Sequence, residues 1–241
     1  MPRLYVPAPL SVGAEIELPS DAAAHVRALR LRSGDSVTLF NGDGGEHPSE
    51  LLQVDRRRAW VRIGEHDAVE RELPVPVQLL QAIGKGDRMD TAVEKATELG
   101  VREIVPILTE RTVVRLEDPQ RAAKRQRHWT AVAHSACEQC GRNQPPRVHT
   151  PTRLDHAWSL AAEFTLRVTL DPTADQRLSQ RLKTGTATSL LIGPEGGLTH
   201  KELEQAEQHG FVRARSGERI LRTETAAVVA LTAVGLALGE V

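Results

Sequence analysis

From Pro76 onward, short apolar runs alternate with longer segments of helical period, and this alternation limits the fold more than any other feature. Five runs predict strands buried on both faces, at 77–82, 104–108, 166–170, 189–192 and 211–214. Asp87 is placed to cap a helix that ends at Gly100, and Thr199 to cap another that ends at Gly210. Repeated strand–helix units predict an α/β domain with a doubly wound parallel sheet.

The N-terminal part of the chain carries a different pattern. Brief β-type runs at 37–40, 51–54 and 59–63 are separated by turn signals, which predicts a small β-barrel. One helix at 21–29 interrupts them, with Ser20 or Asp21 as its N-cap. Pro74 and Pro76 break any continuing ladder, so the sequence predicts a barrel domain at 1–72 and an α/β domain at 73–241.

Composition excludes several classes of protein. A chain of 241 residues with 40% hydrophobic residues can bury a large core without metal or disulfide staples. Its 31 Lys and Arg nearly balance 32 Asp and Glu, which excludes a globally polybasic binder and an acidic disordered tail. Residues 111–153 form a local basic stretch, with nine Lys or Arg against three acids. Such a stretch either grips phosphates or forms a solvated helix face, and its charge alone does not separate the two.

Two common nucleotide-binding motifs are missing from the sequence. The segment at 83–88, Ile-Gly-Lys-Gly-Asp-Arg, lacks the third glycine of a dinucleotide-binding turn, which disfavours NAD. No G-x-x-x-x-G-K-[ST] segment is present, which disfavours ATP hydrolysis.

The two cysteines, Cys137 and Cys140, lie three residues apart. They are too few and too close for a disulfide framework, which favours a cytoplasmic location. With His134 they could bind a metal, but Trp129 and Ala133 recur with them at helical spacing. The spacing therefore predicts a core-facing stripe and no metal.

Neither end of the chain has the pattern of a membrane or export segment. The first ten residues contain three prolines and no apolar run of the kind that a signal peptide needs. The apolar segment at 226–238 is thirteen residues long, short of the roughly 20 needed to span a bilayer. It predicts a buried helix, and no membrane partner is expected.

Two loops rich in glycine follow predicted strands near the C-terminus. Residues 190–199 read Leu-Leu-Ile-Gly-Pro-Glu-Gly-Gly-Leu-Thr, and residues 216–225 read Ser-Gly-Glu-Arg-Ile-Leu-Arg-Thr-Glu-Thr. Open α/β sheets bind ligands at the carboxyl ends of their strands, and glycine lets a ligand approach the backbone closely. The two loops predict a ligand site, and two tight connections without a ligand are the alternative.

The segments Gly-Pro-Glu-Gly-Gly at 193–197 and Arg-Ile-Leu-Arg-Thr-Glu-Thr-Ala at 219–226 resemble the signatures of the 16S ribosomal RNA (uracil-N3)-methyltransferase family. The likeness extends to 81–90, 94–101 and 138–142, and more loosely to 3–6 and 25–31. It implies a SPOUT-type α/β fold with a C-terminal trefoil knot, preceded by a PUA-like β-barrel that binds RNA. Pattern alone predicts an unknotted sheet, because knots are very rare.

The resemblance also implies S-adenosylmethionine as the cofactor, bound in the knot loops of a homodimer. We expect the cofactor at Leu191, Ile192, Gly193, Pro194, Glu195, Gly196, Gly217, Ile220, Leu221, Thr223 and Thr225. We expect RNA contacts at Arg3, Arg27, Arg30, Lys85, Arg88, Arg111, Lys124 and Arg125. The apolar helix from Ala226 is the expected dimer surface as well as core.

Methylation of uracil N3 requires that the imide proton leaves as charge spreads onto O2 and O4. A cation beside those oxygens stabilises that charge, and Arg222 is the first candidate, followed by Arg142. Glu224 or Glu138 is expected to accept the proton, and the sequence does not choose between them.

The leading functional hypothesis is methylation of N3 of a specific uridine in small-subunit ribosomal RNA, as naked RNA or in the assembled subunit. An RNA-binding assembly factor with an inactive pocket is a second hypothesis. A SPOUT methyltransferase acting on another RNA nucleotide is a third.

Overall fold

The computed structural model describes residues 1–114 and 118–240, which form two compact units. Arg115 and Glu117 of the basic stretch lie outside the described residues. The first unit combines Met1–Glu72 with Cys137–Pro145, and the second combines Leu73–Ala136 with Pro146–Val241. Residues 137–145 therefore belong to the first unit, although the sequence places them within the second predicted domain.

The first unit contains five strands and one helix. They are β1 (Arg3–Tyr5), β2 (Glu15–Glu17), α1 (Ser20–Ala28), β3 (Ser36–Phe40), β4 (His47–Val54) and β5 (Ala59–Arg62). The strands pair in the order β1-β3-β4-β5-β2, with β1 parallel to β3 and the other pairs antiparallel. Inward side chains such as Leu39, Leu51 and Val61 form this unit's own core with Val26 of α1.

The predicted start of the N-terminal helix is wrong. Helix α1 begins at Ser20, and its N-cap is Pro19, not Ser20 or Asp21. The extended backbone of Pro19 lets its carbonyl accept the first helical hydrogen bond, from the N–H of Ala23 at 2.8 Å, and no side chain caps this end. Backbone geometry at a proline decided the boundary, which the preference for polar caps does not predict.

The second unit contains seven strands, and helix α3 runs from it into the first unit. The strands are β6 (Val77–Ala82), β7 (Glu103–Leu108), β8 (Arg147–Val148), β9 (Thr152–Arg153), β10 (Leu166–Leu170), β11 (Thr188–Ile192) and β12 (Val212–Ala214). The helices are α2 (Arg88–Glu98), α3 (Pro119–Cys140), α4 (Leu154–Ala157), α5 (Leu178–Arg181), α6 (His200–Gln208) and α7 (Thr223–Leu238), with a 3-10 turn at Trp158–Ala161.

The predicted parallel α/β sheet is confirmed. Its strands follow the order β12-β10-β11-β6-β7-β8, all pairs are parallel, and β9 also pairs with β7. Successive side chains of one strand enter opposite cores: Leu79 packs in the cluster that includes α2 and α7, and Leu80 packs with α4 and α6. Helices on both faces explain why these strands are continuous apolar runs.

Local signals set two of the helix ends that flank the sheet. The Thr199 hydroxyl accepts from the Glu202 N–H while the Glu202 carboxylate accepts from the Thr199 N–H, a capping box that begins α6. Gly100 ends α2 with a φ of +85°, and a Cβ there would lie 2.6 Å from Leu73 Cγ. Among the described residues, no helix is long and apolar enough to cross a membrane.

Candidate functional site

A cavity of about 400 Å³ lies at the carboxyl edge of the parallel sheet, within the size range of ligand pockets. Three loops form it, and they follow β10, β11 and β12. The lining residues are Arg88, Leu170, Asp171, Pro172, Ile192, Gly193, Pro194, Glu195, Gly197, Leu198, Leu203, Ser216, Gly217, Arg219, Ile220, Leu221, Arg222, Thr223 and Ala226. The two glycine-rich loops of the sequence therefore meet at one cavity, as strand polarity requires.

Thr223, the first residue of α7, fixes the two glycine-rich loops to the sheet. Its hydroxyl donates to the Gly193 carbonyl at 2.8 Å and accepts from Gln81 Nε2 at 2.7 Å. Both side chains are buried, at 5% exposure for Thr223 and 1% for Gln81. These dry hydrogen bonds hold the cavity floor in one arrangement, because a buried polar group without its partner is costly.

Glu195 ties the Gly-Pro-Glu-Gly-Gly loop to the loop that precedes α2. Its Oε1 accepts from the Lys85 N–H at 3.0 Å and pairs with the Arg88 guanidinium. Partial burial raises the pKa of this carboxyl, but hydrogen bonds from the Lys85 N–H and from Arg88 outweigh it and hold the pKa below its usual range. A Cβ at Gly84 would lie 3.1 Å from Arg88 Cβ and 3.5 Å from Glu195 Oε1, so a larger residue would crowd this contact.

Arg222 and Glu224 stand two residues apart where α7 begins. Glu224 Oε1 lies 3.9 Å from Arg88 Nε, and Glu224 Oε2 is buried with no hydrogen-bond partner among the described residues. The helix N-terminus favours negative charge at this first-turn carboxylate. Arg222 is exposed, lines the cavity and forms no ion pair within the described part of the chain. Arg219 is a second exposed arginine of the cavity lining without an ion pair among the described residues. The cavity thus offers two cations to a ligand, and the Glu224 carboxylate lies beside Arg88 at its edge.

The other two predicted catalytic residues, Glu138 and Arg142, belong to the first unit. Glu138 accepts from the Tyr5 N–H and contacts His25 Nδ1, both at 3.0 Å. Arg142 is 4% exposed, and its Nε lies 3.0 Å from Glu72 Oε2. Both side chains are satisfied by their own unit, and their catalytic role stays a prediction.

Eight of the eleven predicted cofactor residues line the cavity, and the other three do not. Leu191 is buried in the core on the α6 side of the sheet. The Gly196 carbonyl accepts from Arg111 Nη1 at 2.7 Å. Thr225 is exposed on α7.

Asp171 and Pro172 line the cavity directly after β10, and neither was predicted from the sequence as a site residue. Burial raises the pKa of Asp171, but hydrogen bonds from Thr173 and Arg213 outweigh it and lower the pKa. The signal was available, because these residues directly follow the predicted strand at 166–170 and ligands bind at that end of a strand.

The predicted RNA-contact residues fall into two groups. Arg3 is held inside the first unit by Glu46 and by Asn143 Oδ1, and its guanidinium carbon lies 4.8 Å from the Phe40 ring centre. Arg27 is half-buried, and Arg88 and Arg111 have the contacts given above. The exposed ones are Arg30, Lys85, Arg111, Lys124 and Arg125.

The cysteines lie on the inner side of α3. Burial raises the pKa of the Cys137 thiol to about 12, so it stays protonated and unreactive at neutral pH. Within the described ranges, no three His, Cys, Asp or Glu side chains cluster as metal ligands would.

A second cleft of about 880 Å³ lies beside the Trp158 and His209 rings, which stack with centres 5.1 Å apart. It is larger but more open, and it lies near the amino ends of β10 and β12. We place the functional site at the smaller cavity, because both glycine-rich loops and the strand ends converge there.

Two family profiles match the chain. Residues 71–235 match a family described as "RNA methyltransferase domain", and residues 18–64 match one described as "RNA methyltransferase PUA domain".

Curated relatives are similar over most of their length. The "Ribosomal RNA small subunit methyltransferase E" of Bacillus subtilis is 33% identical over 87% of this chain and 84% of its own. The protein of the same name from Buchnera aphidicola (Schizaphis graminum) is 29% identical over 100% of this chain and 98% of its own.

Solved structures are similar to the chain over nearly its whole length. The Neisseria gonorrhoeae "Ribosomal RNA small subunit methyltransferase E" bound to S-adenosylmethionine superposes with a TM-score of 0.90 at 36% identity, over 99% of this chain and 98% of that one. A Legionella pneumophila protein in complex with the same cofactor gives 0.93 at 38% identity, over 98% and 97%.

Proposed function

The chain belongs to the RNA methyltransferase family, and from this premise we propose that it transfers the methyl group of S-adenosylmethionine to N3 of a specific uridine in 16S ribosomal RNA, the RNA of the small ribosomal subunit. One observation carries the proposal: both glycine-rich loops converge on one cavity at the carboxyl edge of a parallel sheet, pinned together by Thr223. Similar proteins solved with S-adenosylmethionine support the choice of cofactor.

The residues around the cavity fit this cofactor. Its apolar walls, with Leu170, Ile192 and Leu221, suit an adenine ring, and the backbone of both loops supplies polar groups. Gly217 has a φ of +140°, and a Cβ at Gly193 would lie 3.1 Å from Leu198 Cγ, so both loops depend on glycine. When bound, S-adenosylmethionine supplies a methyl group activated by a sulfonium sulfur.

Arg222 and Glu224 carry the acceptor side of the reaction in this proposal. The Glu224 carboxylate, which lies 3.9 Å from the cavity residue Arg88, accepts the N3 proton of uracil. The Arg222 guanidinium, which lines the cavity, stabilises the charge that develops on O2 or O4. Positioning the acceptor nitrogen in line with the methyl group supplies much of the rate. The alternative is that Glu138 accepts the proton and Arg142 stabilises the charge. Variants of these two residues test that alternative.

The path of the chain near the C-terminus supports a SPOUT-type trefoil knot. After β12, at the sheet edge, the chain returns past β10 and β11 so that α7 packs against α2 and β6. The returning segment is bonded to the β10–β11 connection, where the Arg215 N–H donates to the Gln176 carbonyl and the Leu178 N–H donates to the Arg215 carbonyl. We extend the proposal to this knot and to a homodimer in which α7, with Leu236 59% exposed, contributes the surface.

In this proposal the PUA-like unit and the predicted cationic side chains bind the RNA substrate. Residues 18–64 match a PUA domain of RNA methyltransferases, which supports an RNA-binding role for the first unit. The substrate is the small-subunit RNA, naked or in the assembled subunit, and cysteine usage supports a cytoplasmic location.

The test is transfer of labelled methyl from S-adenosylmethionine to small subunits, and to naked 16S RNA, from a strain lacking this protein. Digestion and mass spectrometry of nucleosides should then identify 3-methyluridine. A different methylated nucleoside would keep the enzyme class and reject the uridine N3 target. Absence of both cofactor binding and transfer would favour an RNA-binding assembly factor.

A further inference from the structure

The first half of α3 carries an unneutralised stripe of positive charge. Over the longer range Pro119–Ala136 the helix has four Lys or Arg, all in its first half, and no Asp or Glu. Arg121, Lys124, Arg125 and Arg127 are all exposed, and we call these four the α3 stripe. On the opposite side of the helix, Trp129 and Ala133 are buried in the core of the second unit.

Three members of the α3 stripe form no ion pair within the described residues. Arg121 has one acidic neighbour, Asp118 at 3.7 Å, and both side chains are exposed, so the pair is weak. Many exposed arginines elsewhere do have acidic partners, including Arg62 with Glu15 at 2.9 Å. Exposed cations without an ion pair among the described residues also occur elsewhere, such as Arg102 and Lys201, but on α3 three of them stand within four residues.

Like charges at this spacing oppose helix formation. Residues three and four apart are neighbours on a helix, and Arg121 stands in that relation to both Lys124 and Arg125. An acid on this face would neutralise part of this charge, as Glu94 and Glu98 neutralise Lys95 on α2. A stripe left unneutralised suits an anionic polymer that brings the counter-charge itself.

The α3 stripe is connected to the cavity edge of its own unit. Asp90, in the first turn of α2, accepts from Trp129 Nε1 at 2.9 Å and contacts His128 Nε2 at 2.7 Å. Two residues earlier on α2, Arg88 lines the cavity. A polyanion on the stripe thus lies beside the helix whose start borders the site.

We propose that the α3 stripe is a docking surface for the phosphodiester backbone of the RNA substrate, with contacts at Lys124, Arg125 and Arg127. This inference rests on the proposed function for the identity of the polyanion. The cations grip phosphates without reading sequence, and they deliver the acceptor nucleotide toward the cavity. The second unit therefore holds RNA itself and does not depend on the PUA-like unit alone.

The test compares the triple variant Lys124→Gln/Arg125→Gln/Arg127→Gln with a matched control that loses the same charge. The control is Arg102→Gln/Lys183→Gln/Lys201→Gln, three exposed cations of the same unit outside α3. Affinity for transcribed 16S RNA is measured by filter binding over a range of salt concentrations. Circular dichroism and S-adenosylmethionine affinity report whether the fold and the cavity are intact.

We expect the α3 variant to raise the Kd for RNA by about tenfold to a hundredfold near 0.15 M salt, and to lower the slope of log K against log salt by about two to three. The KM for RNA should rise by a similar factor while kcat stays within about twofold. The control should bind RNA as the unmodified protein does.

Unchanged RNA affinity and salt slope in the α3 variant would overturn the proposal, and so would an equal loss in the control. Loss of binding to assembled small subunits with normal affinity for naked RNA would also overturn it, in favour of an acidic protein surface. If the unmodified protein methylates no RNA, the proposed function fails, whereas the affinity comparison still decides the docking surface.

Discussion

The chain has two arginine–glutamate pairs to which the sequence alone gives similar chemistry, and the structure gives them opposite environments. Arg142 is 4% exposed and bonded to Glu72, while Glu138 is held by Tyr5 and His25. Arg222 lines the cavity. Glu224 lies 3.9 Å from Arg88, which also lines it, and Glu224 Oε2 is buried without a partner among the described residues. Buried polar groups are normally satisfied, so an unpartnered carboxylate oxygen beside a cavity residue marks function more reliably than residue type does.

The largest expected effect follows from removing the Glu224 carboxylate. Glu224→Gln should lower kcat by about a thousandfold, because the amide cannot accept the N3 proton, with S-adenosylmethionine affinity unchanged. Single-turnover methyl transfer with calorimetric cofactor titration measures both quantities. Glu218→Gln, an exposed carboxylate of the same loop, is the control and should stay within about twofold. Normal activity in Glu224→Gln would return Glu138 to first place as the base.

The next effect is on stability and concerns the satisfied pair. Arg142→Met should lower the free energy of unfolding of the first unit by about 3 kcal/mol, because Glu72 keeps a partly buried charge without its partner. Urea unfolding measures this, and Arg71→Met, a more exposed arginine paired with Glu46, should cost under about 1 kcal/mol. A stable Arg142→Met protein without methyl transfer would make Arg142 catalytic and reverse the comparison.

The third effect concerns Arg222, which with Arg219 is one of two exposed arginines of the cavity lining without an ion pair among the described residues. Arg222→Gln should lower kcat by about a hundredfold, since the developing charge on the uracil oxygens loses its stabilising cation. The free energy of unfolding should change by under about 0.5 kcal/mol, because Arg222 is exposed. Arg177→Gln, an exposed arginine outside the cavity lining, is the kinetic control. If Arg222→Gln changes only the KM for RNA, Arg222 is a binding residue.

Local sequence signals predicted the parts of the fold that depend on near neighbours. The strands at 77–82 and 166–170 were predicted with their observed bounds because both faces of the sheet are covered. The N-cap Thr199 was predicted because it forms a capping box with Glu202, only three residues away. The strands β1 and β2 were missed, since three residues are too few to show a period.

The ion pair between the buried Arg142 side chain and Glu72 could not be predicted from the sequence. Its partner Glu72 lies 70 residues away, and no period or motif links the two positions. The convergence of the two glycine-rich loops was predictable because strand polarity fixes it. Their connection through Thr223 and Gln81 was not, since those residues are 142 positions apart.

The smallest effect is a pH dependence of stability that comes from Glu195, which ties the loop at 193–197 to the loop before α2. Glu195 has a lowered pKa in the folded protein, so its contribution to stability is present above its unfolded value near 4.5 and is lost as the pH falls through the folded value. The Tm of Glu195→Gln should therefore lie below that of the unmodified protein at pH 6, and the difference should shrink as the pH falls below 4.5. Thermal unfolding across this range measures the difference, and Glu204→Gln, an exposed carboxylate of α6, should show little of it. A Tm difference that stays constant as the pH falls from 6 to 3 would mean that the Glu195 side chain acts through packing and not through its charge. In that case the contrast between satisfied and free carboxylates would rest on Glu138 and Glu224 alone.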